Sequence, residues 1–313
     1  MSEQKKATKS QDAKEEEKSY DLSKWADIIA MFRDDLSEDK IKSHVSAYIS
    51  TLVTEFGMGN YCVVFLFDDW HSIYPYHSNQ IYKAISDLRS SKDILLVLQS
   101  GGGKIEPAYL ISKTCKRLCK DKFVVSVPRR AKSAATLLSL GANEIHMGLL
   151  SELGPIDPQF GGFPASGLAN AMEKIAEMSS RFPDASDMFA KYLTDNLSIR
   201  DLGYFERINE SAVQYAERLL AGKTLPDNWD EERLAAHLTN HYKDHGFVID
   251  SDEAATLLGK SVIKESTPEY EFGNRIYEFL DFLEFLFKAF HQKRIRYVGS
   301  IDNGLDTFDA ENE

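Results

Sequence analysis

The stretch ILLVLQSGGG, residues 94–103, decides the fold. Its first five residues form an apolar run with the length of a buried strand, and three consecutive glycines follow shortly after. Similar runs occur at 61–67, 123–127 and 144–147, and the segments between them have helical apolar spacing. Strands that alternate with helices predict right-handed crossovers and a parallel α/β sheet, with ligands at the carboxyl ends of the strands.

The second half of the chain is predicted to be mostly helical. Apolar residues recur at spacings of three and four over 168–178, 187–197, 202–220 and 231–238. A final helix over 271–290 is rich in Phe and Tyr. We expect this last helix to pack on the protein's own core, with a contact between subunits as the alternative.

Composition excludes several classes of protein. The 313 residues carry a net charge of −12, which argues against a broad nucleic-acid surface. No apolar run approaches the roughly 18 residues of a membrane span, and the N-terminus lacks a basic-then-apolar signal. The 3 cysteines are too few for a disulfide framework. The sequence therefore predicts a cytoplasmic protein with reduced thiols, no membrane span and no nucleic-acid partner.

The chain is predicted to have three parts. Residues 1–20 mix Lys and Glu with almost nothing apolar, which is typical of a disordered tail. Residues 21–265 form the predicted catalytic domain, and residues 266–313 form an aromatic-rich helix and tail for packing or oligomerisation.

Ser133 is a candidate nucleophile. It lies between the third predicted strand and a helix, where the helix dipole and the N–H of Ala134 favour a developing negative charge. From this segment alone, a helix N-cap role for Ser133 is an equally good interpretation. The glycine turn lacks both the G-x-G-x-x-G spacing and the Gly-Lys-Ser/Thr of a P-loop, so no nucleotide cofactor is expected.

Three motifs carry a resemblance to a known family. They are the S-G-G-G that ends the second strand, the pattern P-x-x-A-x-S-A-A-T-L-L-x-L-G-A-x-E-I-x-M-G from Pro128, and S-x-L-G-P-I-D-P-Q from Ser151. Between about Tyr61 and Gly259 the chain resembles the serine dehydrogenase proteinases, ClpP-related serine proteases allied to signal peptide peptidase A. The resemblance implies a ClpP/crotonase-like α/β fold with a parallel sheet, ββα-type crossovers and a helical C-terminal part.

The resemblance also implies a catalytic triad. The family's nucleophile falls on Ser133, its Asp on Asp157 in G-P-I-D-P-Q, and its His on His245. The histidine segment departs from the family pattern because Gly246 replaces an acid, and His241 lies one helical turn away.

Backbone amides complete the predicted site. The family's glycine turn falls on Gly102 and Gly103, whose N–H groups, with that of Ala134, would hold the oxyanion of a tetrahedral intermediate. No metal or cofactor is expected.

Two other sets of residues offer alternatives. Lys174 would replace the histidine as base if the site used a Ser-Lys dyad, although a solvated lysine is the more common case. The cluster of Asp68, Asp69 and His71, with His77 nearby, suggests a hard-metal site but lacks a repeated ligand spacing, so we expect no metal there.

The sequence thus predicts an ATP-independent serine peptidase that cleaves polypeptides and assembles as a homo-oligomer. A basic rim of Arg129, Arg130 and Lys132 is a possible contact for acidic substrate groups. Two other functions stay open: a protease-like scaffold that binds peptides without cleaving them, and a crotonase-type acyl-CoA enzyme.

Overall fold

The computed structural model of the protein describes residues 18–88, 91–160, 163–196 and 199–310. The helices in this part are α1 (Trp25–Arg33), α2 (Glu38–Glu55), α3 (Pro75–Ile85), α4 (Ile105–Leu118), α5 (Ala134–Leu140), α6 (Ala165–Arg181), α7 (Ser186–Asn196), α8 (Ile199–Leu220), α9 (Glu231–Asn240), α10 (Ser251–Leu258) and α11 (Pro268–His291). The strands are β1 (Tyr61–Asp68), β2 (Asp93–Ser100), β3 (Phe123–Ser126), β4 (Arg130–Ala131), β5 (Glu144–His146), β6 (Glu152–Leu153), β7 (Gln159–Phe160), β8 (Phe163–Pro164), β9 (Ile263–Lys264), β10 (Lys293–Ser300) and β11 (Leu305–Asp309).

A mostly parallel sheet forms the centre of the fold. Its strand order is β11-β10-β1-β2-β3-β5-β9, and β1, β2, β3, β5 and β9 pair in parallel. The predicted α/β class and parallel sheet are therefore confirmed. The hairpin of β10 and β11 was not predicted: it extends the sheet antiparallel to β1. The short β4 pairs with β2 and β6.

Helices cover both faces of the sheet, which explains its continuous apolar strands. Successive residues of β1 alternate between two cores: Val64 and Leu66 pack with α3, α4 and α5, whereas Phe65 and Phe67 pack with α1, α2 and α11. Because side chains alternate across a strand, a strand buried on both faces needs apolar residues at every position.

The aromatic helix α11 packs mainly on its own sheet. Phe272, Phe279 and Phe287 are buried in the core that also holds Phe65, as expected from the sequence. The following strand β10 pairs with β1. The last predicted segment, 266–313, therefore contributes to the same sheet as the first predicted strand. Residues 1–17 of the predicted tail lie outside the described part of the chain.

Loops at the carboxyl ends of β1 and β2 are tied together. The N–H of Ile73 donates to the Gly102 carbonyl at 2.7 Å, and the N–H of Lys104 donates to the Ile73 carbonyl at 2.8 Å. The glycine turn is therefore held in place by the loop that follows β1. Among the described helices, none is both long enough and apolar enough to cross a membrane.

Candidate active site

Ser133 lies at a sharp turn between the short strand β4 and the helix α5. Its backbone has φ 52° and ψ −119°, a conformation that costs a non-glycine residue about 1–3 kcal/mol. Although Ser133 occupies the N-cap position, its side chain makes no capping hydrogen bond. The N-cap interpretation therefore does not explain this serine. A strained strand-to-helix turn is how many hydrolases expose a serine hydroxyl.

The glycine turn lies directly against Ser133. Gly102 and Gly103 have φ values of +102° and +148°, which side chains of L-residues rarely adopt. A Cβ atom on Gly102 would lie 2.7 Å from the Cβ of Ser133, and one on Gly103 would lie 2.2 Å from the Ile73 nitrogen. Only glycine allows this approach.

Two of the three predicted oxyanion amides are free to bind a ligand. The Gly102 N–H donates to the hydroxyl of Ser100 at 3.2 Å. Among the described residues, the N–H groups of Gly103 and Ala134 have no acceptor. Ala134 is the first residue of a helix, where the N–H has no partner within the helix.

His245 and Asp157 form a hydrogen-bonded pair. The Nδ1 atom of His245 lies 2.5 Å from Oδ1 of Asp157, whose side chain is buried. The amide of Gln159 donates to Oδ2 of the same carboxylate at 2.9 Å. The Gln159 amide nitrogen also lies 3.1 Å from Nδ1 of His245. An imidazole that donates its Nδ1 hydrogen to a carboxylate has Nε2 as its proton acceptor.

Strand-like pairing brings these two residues together. The backbones of Leu153 and Ile249 exchange hydrogen bonds of 2.9 and 3.1 Å in an antiparallel bridge. Four residues beyond this bridge on one segment is Asp157, and four residues before it on the other is His245. Antiparallel segments keep such positions opposite each other.

One cavity of about 890 Å³ contains the candidate nucleophile and base. Its lining includes Ser133, the turn Gly101–Gly103, Gln159 and His245. In the described part of the chain, no hydrogen bond joins the Ser133 hydroxyl to His245. The hydroxyl and the imidazole therefore share the cavity without a hydrogen bond between them, and catalytic hydrogen bonds are often long in the absence of substrate.

The structure distinguishes the alternative bases. Lys174 on α6 is exposed and pairs with Glu177 at 2.8 Å, which raises the pKa of its ammonium group. A general base needs the opposite shift. His241 is exposed and stacks on His237 with ring centroids 4.1 Å apart, and neither histidine lines the cavity.

The three cations near Ser133 have partners of their own. Arg129 donates to Asn274 at 2.6 Å, Arg130 pairs with Asp69 at 2.9 Å, and Lys132 pairs with Glu152 at 2.9 Å. None of the three lines the cavity. Because each charge is directed to a partner in the fold, the basic rim suggested by the sequence does not form.

The polar cluster after β1 is a hydrogen-bonded network. The buried carboxylate of Asp68 contacts Nδ1 of His71 and Nε2 of His77, each at 3.2 Å. Burial works to raise the pKa of Asp68, but these histidines and the His71 N–H outweigh it and hold the pKa below its usual range. No metal-binding group of three or more ligands occurs among the described residues.

This network also gives the cavity a second imidazole. His71 lines the same cavity as Ser133 and His245, so the structure contains a second histidine–aspartate pair that sequence reasoning did not consider as a base. Its signal in the sequence was the D-x-x-H spacing directly after a buried strand.

Sequence reasoning also missed the residues that fix the motif segments. The Lys132 stem passes over Gly154, where a Cβ atom would lie 2.6 Å from Cδ of the lysine. Its ammonium group donates to the Phe247 carbonyl at 2.9 Å, beside His245. Thr136 accepts from the Gly154 N–H at 2.9 Å. The serine segment and the G-P-I-D-P-Q segment are therefore bonded directly to each other.

An α/β sheet with an uncapped serine at a strained turn, free amides beside it and a histidine–carboxylate pair in the same cavity has the components of a serine hydrolase site. The family profile of the ClpP-like SDH-type serine proteinases matches residues 64–191. The match covers less than half of the chain and confirms the resemblance seen in the sequence. It includes Ser133 and Asp157 and ends before His245.

Two curated relatives come from Methanocaldococcus jannaschii. The uncharacterized protein MJ0137 is 36% identical over 183 residues, which cover 58% of this chain and 57% of that protein. The uncharacterized protein MJ1495 is 28% identical over 149 residues, which cover 46% and 50%. The chain thus spans about half the length of the curated relatives it matches.

Among solved structures, the chain is similar to a mutant of the 1510-N membrane-bound stomatin-specific protease in complex with a substrate peptide. The identity is 13%, the TM-score is 0.42, and the match covers 81% of this chain and 90% of that one. A second mutant of the same protease matches at 13% identity with a TM-score of 0.41.

Proposed function

We propose that the protein is an ATP-independent serine peptidase that hydrolyses polypeptides, with Ser133 as nucleophile, His245 as base and Asp157 as the residue that orients the base. One observation carries the proposal: a strained, uncapped serine opens into the same cavity as a histidine whose Nδ1 is held by a buried carboxylate. The family match of residues 64–191 supports the same chemistry.

In the proposed acylation step, Ser133, His245 and Asp157 each have a distinct role. The Ser133 oxygen attacks the carbonyl carbon of the substrate peptide bond, and the serine proton passes to Nε2 of His245. Asp157 stabilises the imidazolium that forms, because its carboxylate accepts the Nδ1 hydrogen. The imidazolium then donates its Nε2 proton to the leaving amine as the carbon–nitrogen bond breaks.

The oxyanion is held by backbone amides. The N–H groups of Gly103 and Ala134 are free among the described residues, whereas Gly102 would first have to leave the Ser100 hydroxyl. Removing one oxyanion donor costs roughly 10²–10³ in rate in serine proteases. Water then attacks the acyl-enzyme with His245 again as base, which releases the second peptide fragment and restores Ser133.

A labelling experiment tests the nucleophile. The protein is treated with a fluorophosphonate, which forms a covalent phosphonyl ester with an activated serine, and the adduct is located by mass spectrometry. We expect labelling at Ser133, its loss in Ser133→Ala, and unchanged labelling in Ser78→Ala, which removes a half-buried serine on α3. Without ATP, the wild type and Ser78→Ala should cleave a fluorogenic peptide library, and Ser133→Ala should not.

Other results would favour the other functions. Full labelling of Ser133→Ala would contradict the nucleophile assignment. Peptide binding without cleavage by the wild-type chain would favour a scaffold, and acyl-CoA turnover that survives Ser133→Ala would favour a crotonase-type enzyme. The homo-oligomeric state and the cytoplasmic location stay predictions, which light scattering and cell fractionation would test.

A further inference from the structure

A second large cavity lies at the opposite end of the parallel strands from Ser133. It has a volume of about 670 Å³, within the range of roughly 300–1,000 Å³ that is typical of small-molecule sites. It lies where α4, α5 and α8 end and where the chain turns into β9, so these helices direct their carboxyl ends towards it. We name it the basic cavity, because five of its lining residues are cationic: Lys113, Lys116, Arg117, Arg218 and Lys223.

Within the described part of the chain, these cations have no acidic partners. The described lining contains no Asp or Glu, although acidic residues outnumber basic ones by 49 to 37 in the chain. Among the described residues, none of the five forms an ion pair within 4.0 Å. Lys116 instead donates to Asn143 at 2.6 Å, and Lys223 donates to the Ala142 carbonyl. One carboxylate, that of Glu231, contacts the lining through the Gly222 N–H at 3.4 Å.

The helix ends alone do not balance this charge. Each helix carboxyl end carries the equivalent of about half a negative charge, so three ends offset roughly one and a half of the five positive charges. Burial is the main cause that lowers the pKa of the Lys223 ammonium group to about 8, and the positive charge of Lys116 lowers it further. A bound anion would relieve this repulsion.

We infer that the basic cavity binds a small anion with several negative charges, of the phosphate type, either inorganic or carried by a nucleoside. The two arginines, Arg117 and Arg218, present planar groups that bind phosphate oxygens in pairs, and the three lysines supply compact point charges. The hydroxyls of Thr224 and Ser261 add neutral donors. This inference does not depend on the proposed peptidase activity.

Calorimetric titration tests the inference. Inorganic triphosphate, orthophosphate and a nucleoside triphosphate without metal are titrated into the full chain at pH 7 and fixed ionic strength. We expect triphosphate to bind at least tenfold more tightly than orthophosphate, because more of the cations are engaged. A nucleoside triphosphate that binds more tightly than triphosphate would identify a nucleotide site, and equal affinities would identify an inorganic anion.

Two double variants that remove the same charge distinguish binding in the basic cavity from non-specific attraction of triphosphate to the protein. In Arg117→Gln/Arg218→Gln, two exposed arginines in the last turns of α4 and α8 are replaced, and triphosphate affinity should fall by roughly tenfold or more. In Arg33→Gln/Arg181→Gln, the same charge is removed from the last turns of α1 and α6, outside the basic cavity, and affinity should be unchanged.

The inference fails under any of three results. These are no triphosphate binding at millimolar concentration, equal weakening in both double variants, or undiminished binding in Arg117→Gln/Arg218→Gln. Circular dichroism of both double variants checks that the fold is retained. The single variant Lys113→Gln, at an exposed lining position, provides an independent test if the double variant unfolds.

Discussion

The imidazole Nδ1 of His245 lies 2.5 Å from the Asp157 carboxylate, although 88 positions separate the two residues in the chain. The antiparallel bridge between Leu153 and Ile249 places them opposite each other. The carboxylate also accepts a hydrogen bond from the Gln159 amide through its other oxygen, Oδ2. Residues of the α/β half and of the helical half therefore meet beside the cavity, which Ser133, Gln159 and His245 line.

His245 and His71 both line this cavity, and substitution of each is expected to have a different effect on activity. If His245 is the base, His245→Gln should reduce peptidase activity and fluorophosphonate labelling by roughly 10³-fold or more, because the serine proton loses its acceptor. His71→Gln should change activity by less than about tenfold. Rates of labelling measured side by side decide between them. A large loss in His71→Gln with activity retained in His245→Gln would assign the base to the His71–Asp68 pair.

The strained backbone of Ser133 leads us to expect different stabilities in two inactivating variants. Its φ of 52° disfavours any side chain, so Ser133→Gly should be more stable to urea than Ser133→Ala by about 1 kcal/mol. This figure allows for the greater freedom of glycine in the unfolded chain. Both variants should be inactive. If Ser133→Ala were the more stable of the two, the backbone of this residue would not be strained.

The glycine turn offers a comparison between adjacent positions. Gly103→Ala would place a methyl group 2.2 Å from the Ile73 nitrogen, and we expect a loss of about 2–4 kcal/mol in the free energy of unfolding. Gly101→Ala should cost less than about 0.5 kcal/mol, because the added methyl group would have no atom within 4 Å and the φ of Gly101 is negative. Equal urea midpoints would show that the turn tolerates side chains.

Lys132 is predicted to act as a positioning residue. Its ammonium group holds Glu152 and the Phe247 carbonyl, so Lys132→Met would release the segment that carries His245. We expect kcat to fall by about tenfold with a much smaller change in KM, because the base is misplaced while the cavity remains. Lys132→Arg should restore part of the rate. The control is Lys243→Met, an exposed lysine close to the same segment, for which kcat should be unchanged.

Lys223 predicts a pH dependence of stability. Burial lowers its pKa from 10.5 to about 8 in the folded state, so the unfolded chain binds more protons between these values and stability rises with pH there. Lys223→Met should therefore be more stable than wild type by about 2–3 kcal/mol at pH 7, and the difference should fall below about 1 kcal/mol by pH 10.

Urea unfolding at pH 7, 8, 9 and 10 measures this difference. Lys113→Met, at an exposed position in the same cavity, should show no such trend. A gap between Lys223→Met and wild type that does not change with pH would mean that this lysine is not destabilised by burial.

Much of the fold could be read from local patterns. The strand over Tyr61–Asp68 and the helix over Ile105–Leu118 follow the apolar runs and spacings closely, because both strand faces are buried and the helix is amphipathic. The strand Lys293–Ser300 was not predicted. It carries Lys293, Arg294 and Arg296, and its place beside β1 depends on pairing between distant segments.

In the candidate site, too, some residues could be identified from the local sequence and others only from the tertiary structure. Ser133 and the glycine turn were identified from their own neighbourhoods, since a serine between a strand and a helix and three adjacent glycines are local features. The different surroundings of His245 and His241 are not local features, because only His245 lines the cavity that also contains Ser133. Gln159, Lys132 and His71 were missed as contributors for the same reason.

By itself the sequence determined the parallel α/β core, the position of the serine turn and the absence of a P-loop, because each depends on residues close together in the chain. The tertiary structure decided that Asp157 faces His245, that Lys132 ties the two motif segments together, and that five cations from separate segments surround one cavity. Such contacts depend on the strand register and on where helices end in space, which no local pattern of residues encodes.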